Sequence, residues 1–278
     1  MTGHIAGKSI VITGAGGGFG SLVARKAAAL GAHVTCGDID LAAAEAVVEY
    51  ITAGGGTAQA VQVDVRDLGA VKALVTKALE AYGAVDVMIN NAGIMPLAFF
   101  SDHEAASPAW ERCIDINIKG VLNGMVAAYD PMIAAGRGQI VNLSSIYGNF
   151  PVIGAAVYGA SKSAVNFLSE SLRVESRGKI KVTTIKPTGV PTTGLSGTVV
   201  NQAAGIGIVA HNMPDFMDMV GQMGAGTFPA ERLDPEAMDY ASLAPEHIAD
   251  AIIHAIDQPW GVSISEITVR AAGDHFVL

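Results

Sequence analysis

Short apolar segments rich in β-branched residues alternate with longer helical patterns along most of the chain, and this alternation constrains the fold more than any other feature. The apolar segments predict buried strands at 9–13, 33–37, 58–63, 85–90, 139–143, 181–185 and 264–269. The stretches between them predict helices at 21–30, 41–51, 71–82, 109–129, 158–176 and 245–256. Alternating strands and helices form a parallel sheet covered on both faces, with ligands at the carboxyl ends of the strands. The sequence therefore predicts an α/β fold built on a doubly wound parallel sheet.

The alternation pauses between residues 193 and 243. Residues 193–214 are 22 consecutive residues without Asp, Glu, Lys or Arg, and several Phe and Met residues follow. No repeat and no Pro- or Ser-rich linker divides the chain. We therefore expect a single domain over residues 1–278, in which residues 193–243 form an apolar insertion that acts as a substrate lid. The alternative is that these apolar side chains form a subunit interface.

Charge and cysteine content exclude several classes of protein. The chain has 17 Lys+Arg and 26 Asp+Glu, a net charge of −9, and no basic run, so no nucleic-acid partner is expected. No apolar stretch is long enough for a membrane span, and the first residues lack the pattern of a signal peptide. Cys36 and Cys113 cannot form a disulfide framework, which favours the cytoplasm. His247, Asp250 and His254 lack a ligand cluster around them, so no metal site is expected.

A glycine-rich loop joins the first predicted strand to the first predicted helix and reads TGAGGGFG from Thr13 to Gly20. Glycine lets the backbone approach a pyrophosphate closely, and a helix N-terminus offers free N–H groups and a positive dipole end. The spacing TGxxxGxG fits with Gly14, Gly18 and Gly20. TGxxGxxG also fits, because Gly17 is available, so the glycines alone leave the subfamily open. The G-x-G-x-x-G and P-loop patterns both fail.

Asp38 ends the second predicted strand, where a carboxylate can accept hydrogen bonds from both hydroxyls of an adenosine ribose. The same carboxylate repels a 2′-phosphate, and the next residue, Ile39, supplies no cation to pair with one. The alternative role for Asp38 is to cap the following helix, which Asp40 can do equally well. The position favours NAD over NADP as cofactor.

Tyr158 and Lys162 lie four residues apart on one face of a predicted helix. A phenol has a pKa near ~10 and is a poor base at neutral pH, but a nearby ammonium favours the phenolate. Such a phenol can exchange a proton with an alcohol or carbonyl oxygen while a hydride moves to or from a cofactor. Ser145 follows the strand at 139–143 and can hydrogen-bond the same oxygen. Tyr and Lys at this spacing also occur on exposed helices, so the pair alone does not indicate a catalytic site.

That context is a series of motifs: TGxxxGxG, Asp64-Val65, Asn90-Asn91-Ala92-Gly93, Asn117, Ser145 and Tyr158-x-x-x-Lys162. In this order and at these intervals they resemble the short-chain dehydrogenase/reductase family, over roughly residues 8–192 and the last helix and strand. The resemblance favours the short, single-domain branch and the glycine spacing TGxxxGxG. It implies a Rossmann-like fold and an NAD-dependent alcohol dehydrogenase or ketone reductase.

The resemblance also implies a role for each matching residue. Tyr158 is the general acid/base, Ser145 positions the substrate oxygen, and Lys162 binds the nicotinamide ribose and lowers the pKa of the tyrosine. Asn117 holds a water that links Lys162 to solvent. Asp64 and Val65 flank the adenine. The full set of implied cofactor-binding residues is Gly14, Gly18, Phe19, Gly20, Asp38, Asp64, Val65, Asn91, Ala92, Gly93, Tyr158, Lys162, Pro187, Val190 and Thr192.

One part of the family pattern is altered. The family's P-G-x-V-x-T is matched at Pro187, Val190 and Thr192, but Thr188 replaces the glycine. A nicotinamide contact at Thr192 is still expected, and the local backbone is left open.

Apolar residues occupy the loops that line the substrate site in this family. The predicted lining residues are Met95, Leu97, Ile146, Tyr147, Pro151 and Val152, with Phe99, Phe100 and Phe150 beside them. Neither these residues nor the insertion up to Arg232 contains Lys or Arg. A substrate phosphate or carboxylate therefore has no evident cationic partner. The expected substrate is a small apolar secondary alcohol or ketone of the alicyclic, terpenoid, steroid or aromatic type.

Two other functions are weighed against this one. A non-catalytic NAD-binding regulator would not need the intact set of Asn117, Ser145, Tyr158 and Lys162. A 3-oxoacyl-carrier reductase of lipid synthesis would favour NADPH and a basic docking patch, and neither is apparent. In the family, the helices at 109–129 and 158–176 pair between subunits, so a homodimer or homotetramer is expected.

Overall fold

The computed structural model describes residues 3–190 and 193–277. Within these residues, seven parallel strands form one sheet in the order β3-β2-β1-β4-β5-β6-β7. The strands are β1 (Ser9–Thr13), β2 (His33–Asp38), β3 (Thr57–Gln62), β4 (Val87–Asn90), β5 (Gly138–Leu143), β6 (Ile180–Pro187) and β7 (Glu266–Val269). The predicted Rossmann-like, doubly wound parallel sheet in a single domain is confirmed.

Helices cover both faces of the sheet. Their bounds are α1 (Gly18–Ala29), α2 (Leu41–Ala53), α3 (Leu68–Tyr82), α4 (His103–Cys113), α5 (Val121–Ala135), α6 (Ala156–Glu175), α7 (Met213–Ala225) and α8 (Pro245–Ile256). Successive side chains of a strand point to opposite faces. In β1, Ile10 and Ile12 pack in a core with α1, α2 and α8, whereas Val11 packs in a second core with α3, α5 and α6. The sheet is therefore the middle of three layers, with one hydrophobic core on each of its faces.

The four central strands of the sheet are fully buried and border a crevice at their carboxyl ends. β1, β4, β5 and β6 are buried at every position, because helices cover them on both sides. β1 pairs with β2 on one side and with β4 on the other, so the strand order reverses between β1 and β4. The carboxyl ends of these two strands border a crevice, which is where open parallel sheets bind ligands.

The predicted helix at 109–129 is part of a longer one. The structure has α4 and α5 joined without a break by a π-helical segment, Ile114–Gly120. The helical stretch begins at His103, because Pro108 is accommodated inside α4, and it ends at Ala135. The π-helical segment contains Asn117, and π-helical turns commonly occur at functional sites.

The insertion consists of short 3₁₀ turns around one α-helix. The turns are Gly194–Thr198, Gln202–Ile208, Ala210–Asn212 and Ala230–Leu233, and α7 lies between the third and the fourth. The Met95 amide donates to Thr198 Oγ1 at 2.8 Å, and Asn201 Nδ2 donates to Asp102 Oδ2 at 2.8 Å. These bonds hold the insertion against the loop that follows β4. Across the part of the chain that is described, no helix has the length and apolarity that crossing a membrane requires.

Candidate active site

A cavity of about 580 Å³ opens at the carboxyl ends of β1, β4, β5 and β6. One side is formed by the glycine loop and Asp38, the floor by the ends of β5 and α6, and the other side by the insertion. Its lining includes Gly14, Gly17, Gly18, Phe19, Asp38, Asn91, Ala92, Gly93, Met95, Ser145, Tyr147, Tyr158, Lys162, Pro187, Val190, Phe216, Met219 and Phe276. Most of the residues predicted to bind a cofactor or to catalyse therefore meet in one place.

The glycine loop is built for close approach of a ligand. Gly14 and Gly18 have φ of +66° and +51°, the left-handed region that glycine adopts without strain. A Cβ at Gly20 would lie 2.6 Å from Asn91 Nδ2, whereas a Cβ at Gly17 or Gly18 would meet nothing within 4 Å. Gly20 therefore lets α1 pack closely against the loop. Gly17 and Gly18 leave the backbone of the loop accessible from the cavity.

The first turn of α1 carries no acidic side chain, and no side chain caps it. Its N–H groups and dipole are thus available to an anion. This free helix end and the open glycines fit the pyrophosphate of a dinucleotide.

Asn91 holds the glycine loop in place. Its Nδ2 donates to the carbonyl oxygens of Thr13 at 3.0 Å and Gly14 at 2.9 Å. In the other direction, the Asn91 and Ala92 amides donate to Thr13 Oγ1 at 3.2 and 3.3 Å. These bonds join the end of β1 to the end of β4, so Asn91 acts on the cofactor site by positioning its loop.

Asp38 lies at the edge of the cavity, and both of its carboxylate oxygens accept backbone hydrogen bonds. Oδ2 accepts from the Gly16 amide at 2.8 Å, and Oδ1 accepts from the Asp40 amide at 3.0 Å. Asp40 is the residue that caps α2, by accepting from the Ala43 amide at 3.1 Å. Asp40 therefore caps α2, and Asp38 lines the cavity, where its role in binding a ribose stays a prediction.

Ser145, Tyr158 and Lys162 form the polar floor of the cavity. Tyr158 and Lys162 share one face of α6, and both are buried. The Tyr158 side chain is hydrogen-bonded to that of Ser145, which also accepts from the Tyr147 amide at 3.2 Å. Lys162 Nζ donates to the Leu143 carbonyl at 2.8 Å and lies 5.8 Å from the centre of the Tyr158 ring. The hydroxyl pair and the ammonium therefore converge at the end of β5.

Burial shifts both titratable groups of the floor toward their neutral forms. It raises the pKa of Tyr158 above the usual range, with the Ser145 hydrogen bond acting in the opposite direction. Burial also lowers the pKa of Lys162 to about 8. The floor alone therefore keeps Tyr158 protonated, and an additional positive charge in the cavity would favour its phenolate.

Asn117 reaches the main chain of the loop after β4 from the π-helical segment. Its Oδ1 accepts from the Ile94 amide at 2.9 Å, and its Nδ2 donates to the Ile94 carbonyl at 2.9 Å. A Cβ added to Gly93 would lie 3.3 Å from Asn117 Oδ1 and 3.7 Å from Lys162 Nζ. Gly93 thus lies beside both the asparagine and the lysine, and the water expected at Asn117 stays a prediction.

Two of the implied adenine contacts lie outside the cavity. The Asp64 carboxylate accepts from Arg66 Nη2 at 2.6 Å, and this hydrogen bond holds the pKa of Asp64 below its usual range. Val65 is buried, and a Cβ on Gly120 would lie 2.8 Å from its side chain. Neither residue is among the described residues that line the cavity. Thr192, the predicted nicotinamide contact, lies outside the described residues.

The predicted substrate-lining residues divide into three groups. Met95 and Tyr147 line the cavity. Leu97 and Ile146 are buried and do not line it. Pro151 and Val152 line a second, apolar cavity of about 600 Å³ together with Phe99, Phe100 and Phe150. Tyr147 is common to both cavities and packs edge-on against Tyr158, with ring centres 5.5 Å apart.

Some lining residues were missed in the sequence. Phe216, Met219, Val220 and Met223 of α7 line the cavity, and their spacing of three and four residues is that of one helix face. This pattern is visible in the sequence and could have identified them. Phe276 also lines the cavity, but it is isolated near the end of the chain and no local pattern marks it.

The sheet and this set of side chains define an oxidoreductase of the class that binds nicotinamide cofactors. A sequence profile described as short chain dehydrogenase matches residues 8–203, and the chain belongs to this family. It is 35% identical over 194 residues to 2,5-dichloro-2,5-cyclohexadiene-1,4-diol dehydrogenase LinX of Sphingobium indicum, covering 69% of this chain and 76% of LinX.

Another relative is much longer than this chain, and a related solved structure contains a nicotinamide cofactor. The chain is 32% identical over 269 residues to glycine betaine reductase ATRR of Emericella nidulans, covering 96% of this chain but only 19% of ATRR. A metagenomic short-chain oxidoreductase solved in complex with NADP superposes with a TM-score of 0.72 at 28% identity, covering 96% of this chain and 97% of the other.

Proposed function

We propose that this protein is an NAD-dependent dehydrogenase that interconverts small apolar secondary alcohols and ketones. The observation that carries the proposal is the cavity itself. Its polar floor of Ser145, Tyr158 and Lys162 lies between a nucleotide-binding glycine loop with Asp38 and an apolar wall from α7. A substrate bound against that wall would place its oxygen at the Tyr158 hydroxyl.

Each residue of the floor has a chemical task. A bound nicotinamide would accept the hydride from the alcohol carbon, or return it to the carbonyl carbon. Tyr158 accepts the alcohol proton in oxidation and donates it to the carbonyl oxygen in reduction. Ser145 hydrogen-bonds the same oxygen, and the Lys162 ammonium favours the phenolate by its positive charge. Asn117 would hold a water beside Lys162, through which the proton reaches solvent.

The choice of NAD rests on Asp38. Its carboxylate is fixed by the Gly16 and Asp40 amides at the place where the adenosine ribose would lie. Lys162 is the only lysine or arginine among the described residues that line the cavity, so none there would bind a 2′-phosphate. The metagenomic relative was solved in complex with NADP, and this chain is proposed to differ from it in cofactor. The buried free thiols of Cys36 and Cys113 support the cytoplasm as the proposed compartment.

The apolar wall supports the substrate class. The side chains opposite the floor are Met95, Ile208, Phe216, Met219, Val220, Met223 and Phe276. They match a hydrocarbon skeleton and would leave a carboxylate or phosphate unpaired. LinX, by its name, acts on a cyclic diol, which favours an alicyclic substrate here as well.

A cofactor-coupled screen tests the proposed function. The purified protein is mixed with NAD and alicyclic, steroid, terpenoid or aromatic secondary alcohols, and formation of NADH is followed by absorbance. We expect turnover with at least one apolar alcohol and a lower kcat/KM for analogues that carry a carboxylate. NAD binding without turnover of any alcohol would indicate the regulator instead. A preference for NADPH and 3-oxoacyl thioesters would indicate the acyl reductase.

We also expect a homodimer or homotetramer. Leu122 and Val126 of α5 and Phe167 and Val174 of α6 are exposed, and Phe167 is 76% accessible. Burial between subunits would remove this apolar surface from water. Light scattering at micromolar concentration should give two or four times the chain mass of 28.4 kDa, and Phe167→Glu should lower it. Met238→Glu, at a position 86% exposed in the insertion, is the matched control. A wild-type mass of 28.4 kDa would contradict the prediction.

A further inference from the structure

The last described residues, 271–277, run from β7 back over the cavity, and we call them the C-terminal strap. The Gly273 amide donates to the Tyr240 carbonyl at 2.8 Å. Asn212 Nδ2 donates to the His275 carbonyl at 3.0 Å, and the Val277 amide donates to the Ile208 carbonyl at 3.1 Å. The strap is therefore bonded to the insertion on both sides of α7.

The backbone around Phe276 is also held by Asp274 of the strap and by Arg270, the residue just before the strap. Asp274 has a side chain that is only 3% exposed and accepts from Arg270 Nη2 at 2.6 Å. Its Oδ1 also accepts from the Phe276 amide at 3.2 Å, while the same arginine donates to the Phe276 carbonyl. Phe276 thus has both of its main-chain polar groups bonded, which fixes the backbone that carries the ring.

The Phe276 ring lies in the apolar wall of the cavity, against the loop that follows β6. It lines the cavity, and a Cβ built on Gly189 would overlap the ring. Gly189 follows β6 in the loop of Pro187 and Val190, which also lines the cavity. The absence of a side chain at Gly189 is therefore what lets the ring rest on this loop.

We infer that Phe276 is a specificity-determining residue and that the C-terminal strap limits the size of the substrate. The ring closes the end of the cavity between the insertion and the loop after β6, so a substrate with a bulky group at that end would have to displace it. The strap also ties the insertion to the sheet through Ile208 and Asn212. This inference rests on the proposed function for its substrate class.

Phe276→Ala tests the inference through substrate size. We expect the ratio of kcat/KM for a bulky over a compact secondary alcohol to rise at least ~10-fold, since a change of a methylene in an apolar pocket is already worth ~10-fold or more. Phe228→Ala is the matched control, because Phe228 lies in the insertion, packs against Arg232 and is not among the described lining residues. An unchanged ratio in Phe276→Ala with normal turnover of the compact alcohol would overturn the inference and leave the proposed function intact.

Gly189→Ala provides an independent test. Alone, the new methyl group should push the Phe276 ring away and change the ratio in the same direction as Phe276→Ala. In the Phe276→Ala background the methyl group has room, so the second substitution should add less than ~2-fold to the ratio. Contacting residues are coupled in this way, whereas independent ones are additive. Equal effects of Gly189→Ala in both backgrounds would contradict the direct contact.

Hydrogen–deuterium exchange of the cofactor-free protein separates the strap from the chemistry. Asn212→Ala, which removes the side chain that donates to the His275 carbonyl of the strap, should speed exchange in residues 206–225 and leave exchange in α3 unchanged. Unchanged exchange in residues 206–225 would overturn the role of the strap even if the alcohol screen succeeds. Faster exchange with no turnover of any alcohol by the wild-type protein would uphold the strap and reject the proposed function.

Discussion

Replacing Tyr158 by phenylalanine is expected to lower turnover at least ~100-fold, the usual contribution of a positioned proton donor or acceptor. The fold should be unchanged, because the ring and its edge-on contact with Tyr147 remain. NAD binding should also be retained, since the glycine loop, Asp38 and Lys162 are untouched. Turnover is measured with the best alcohol from the screen, and binding by NADH fluorescence.

Two comparisons make this result specific. Tyr82→Phe removes a hydroxyl from a half-buried tyrosine of α3 that does not line the cavity, and it should keep wild-type turnover. Near-normal turnover of Tyr158→Phe on a good substrate would reject the proposed proton chemistry. Loss of NADH binding together with turnover would instead indicate a structural role for the hydroxyl.

The pH dependence should identify Tyr158 as the titrating group. Oxidation needs the phenolate, so its rate should rise with pH through one ionisation, and carbonyl reduction should fall over the same range. Burial raises the pKa of Tyr158 in the cofactor-free protein. The Lys162 ammonium and the positive ring of oxidised nicotinamide both favour the anion, so the midpoint of the oxidation profile should lie below that of ordinary tyrosine. An absorbance titration that follows tyrosinate formation should show that bound NAD lowers the pKa of Tyr158.

The sheet and its glycine loop could be predicted because their causes are local. A strand buried on both faces has an apolar centre, as at residues 87–89 of β4 and 140–141 of β5. The loop needs glycine where the backbone turns left-handed or packs tightly. Tyr158 and Lys162 could be paired because four residues of helix bring them to one face. These features follow from the period of a single element and its ends.

Other parts of the site depend on contacts between distant segments. The π-helical segment that carries Asn117 has no composition that distinguishes it from an α-helix, and its bonds to Ile94 form only in the folded chain. Leu97 and Ile146 are apolar residues in the expected loops, and only the packing shows that they are buried away from the cavity. Phe276 reaches the cavity because Gly189 leaves space for its ring. No local pattern in the sequence indicates that the ring of Phe276 packs on Gly189.

Replacing the Asp38 carboxylate, which is proposed to bind the adenosine ribose, should reverse the cofactor preference. Wild-type protein should use NAD more efficiently than NADP, because a 2′-phosphate would lie beside the Asp38 carboxylate. Two like charges about 4 Å apart cost ~1–4 kcal/mol near a protein surface. Asp38→Ser removes this repulsion, and Ile39→Arg adds a cation at a side chain that is 61% exposed. Together they should shift the ratio of kcat/KM for NADP over NAD by at least ~100-fold, since each ~1.4 kcal/mol is a factor of ten.

The neighbouring aspartate provides the control for charge alone. Asp40→Ser removes the same charge two residues away and keeps a side-chain oxygen that can cap α2, where Asp40 accepts from the Ala43 amide. It should leave both the stability of the protein and its preference for NAD nearly unchanged. Asp38→Asn keeps an acceptor for the Gly16 amide and removes the charge, so it should relax the preference without adding affinity for NADP. If the wild-type protein uses NADP as efficiently as NAD, Asp38 does not select the cofactor, and the carboxylate serves only to hold the glycine loop through Gly16.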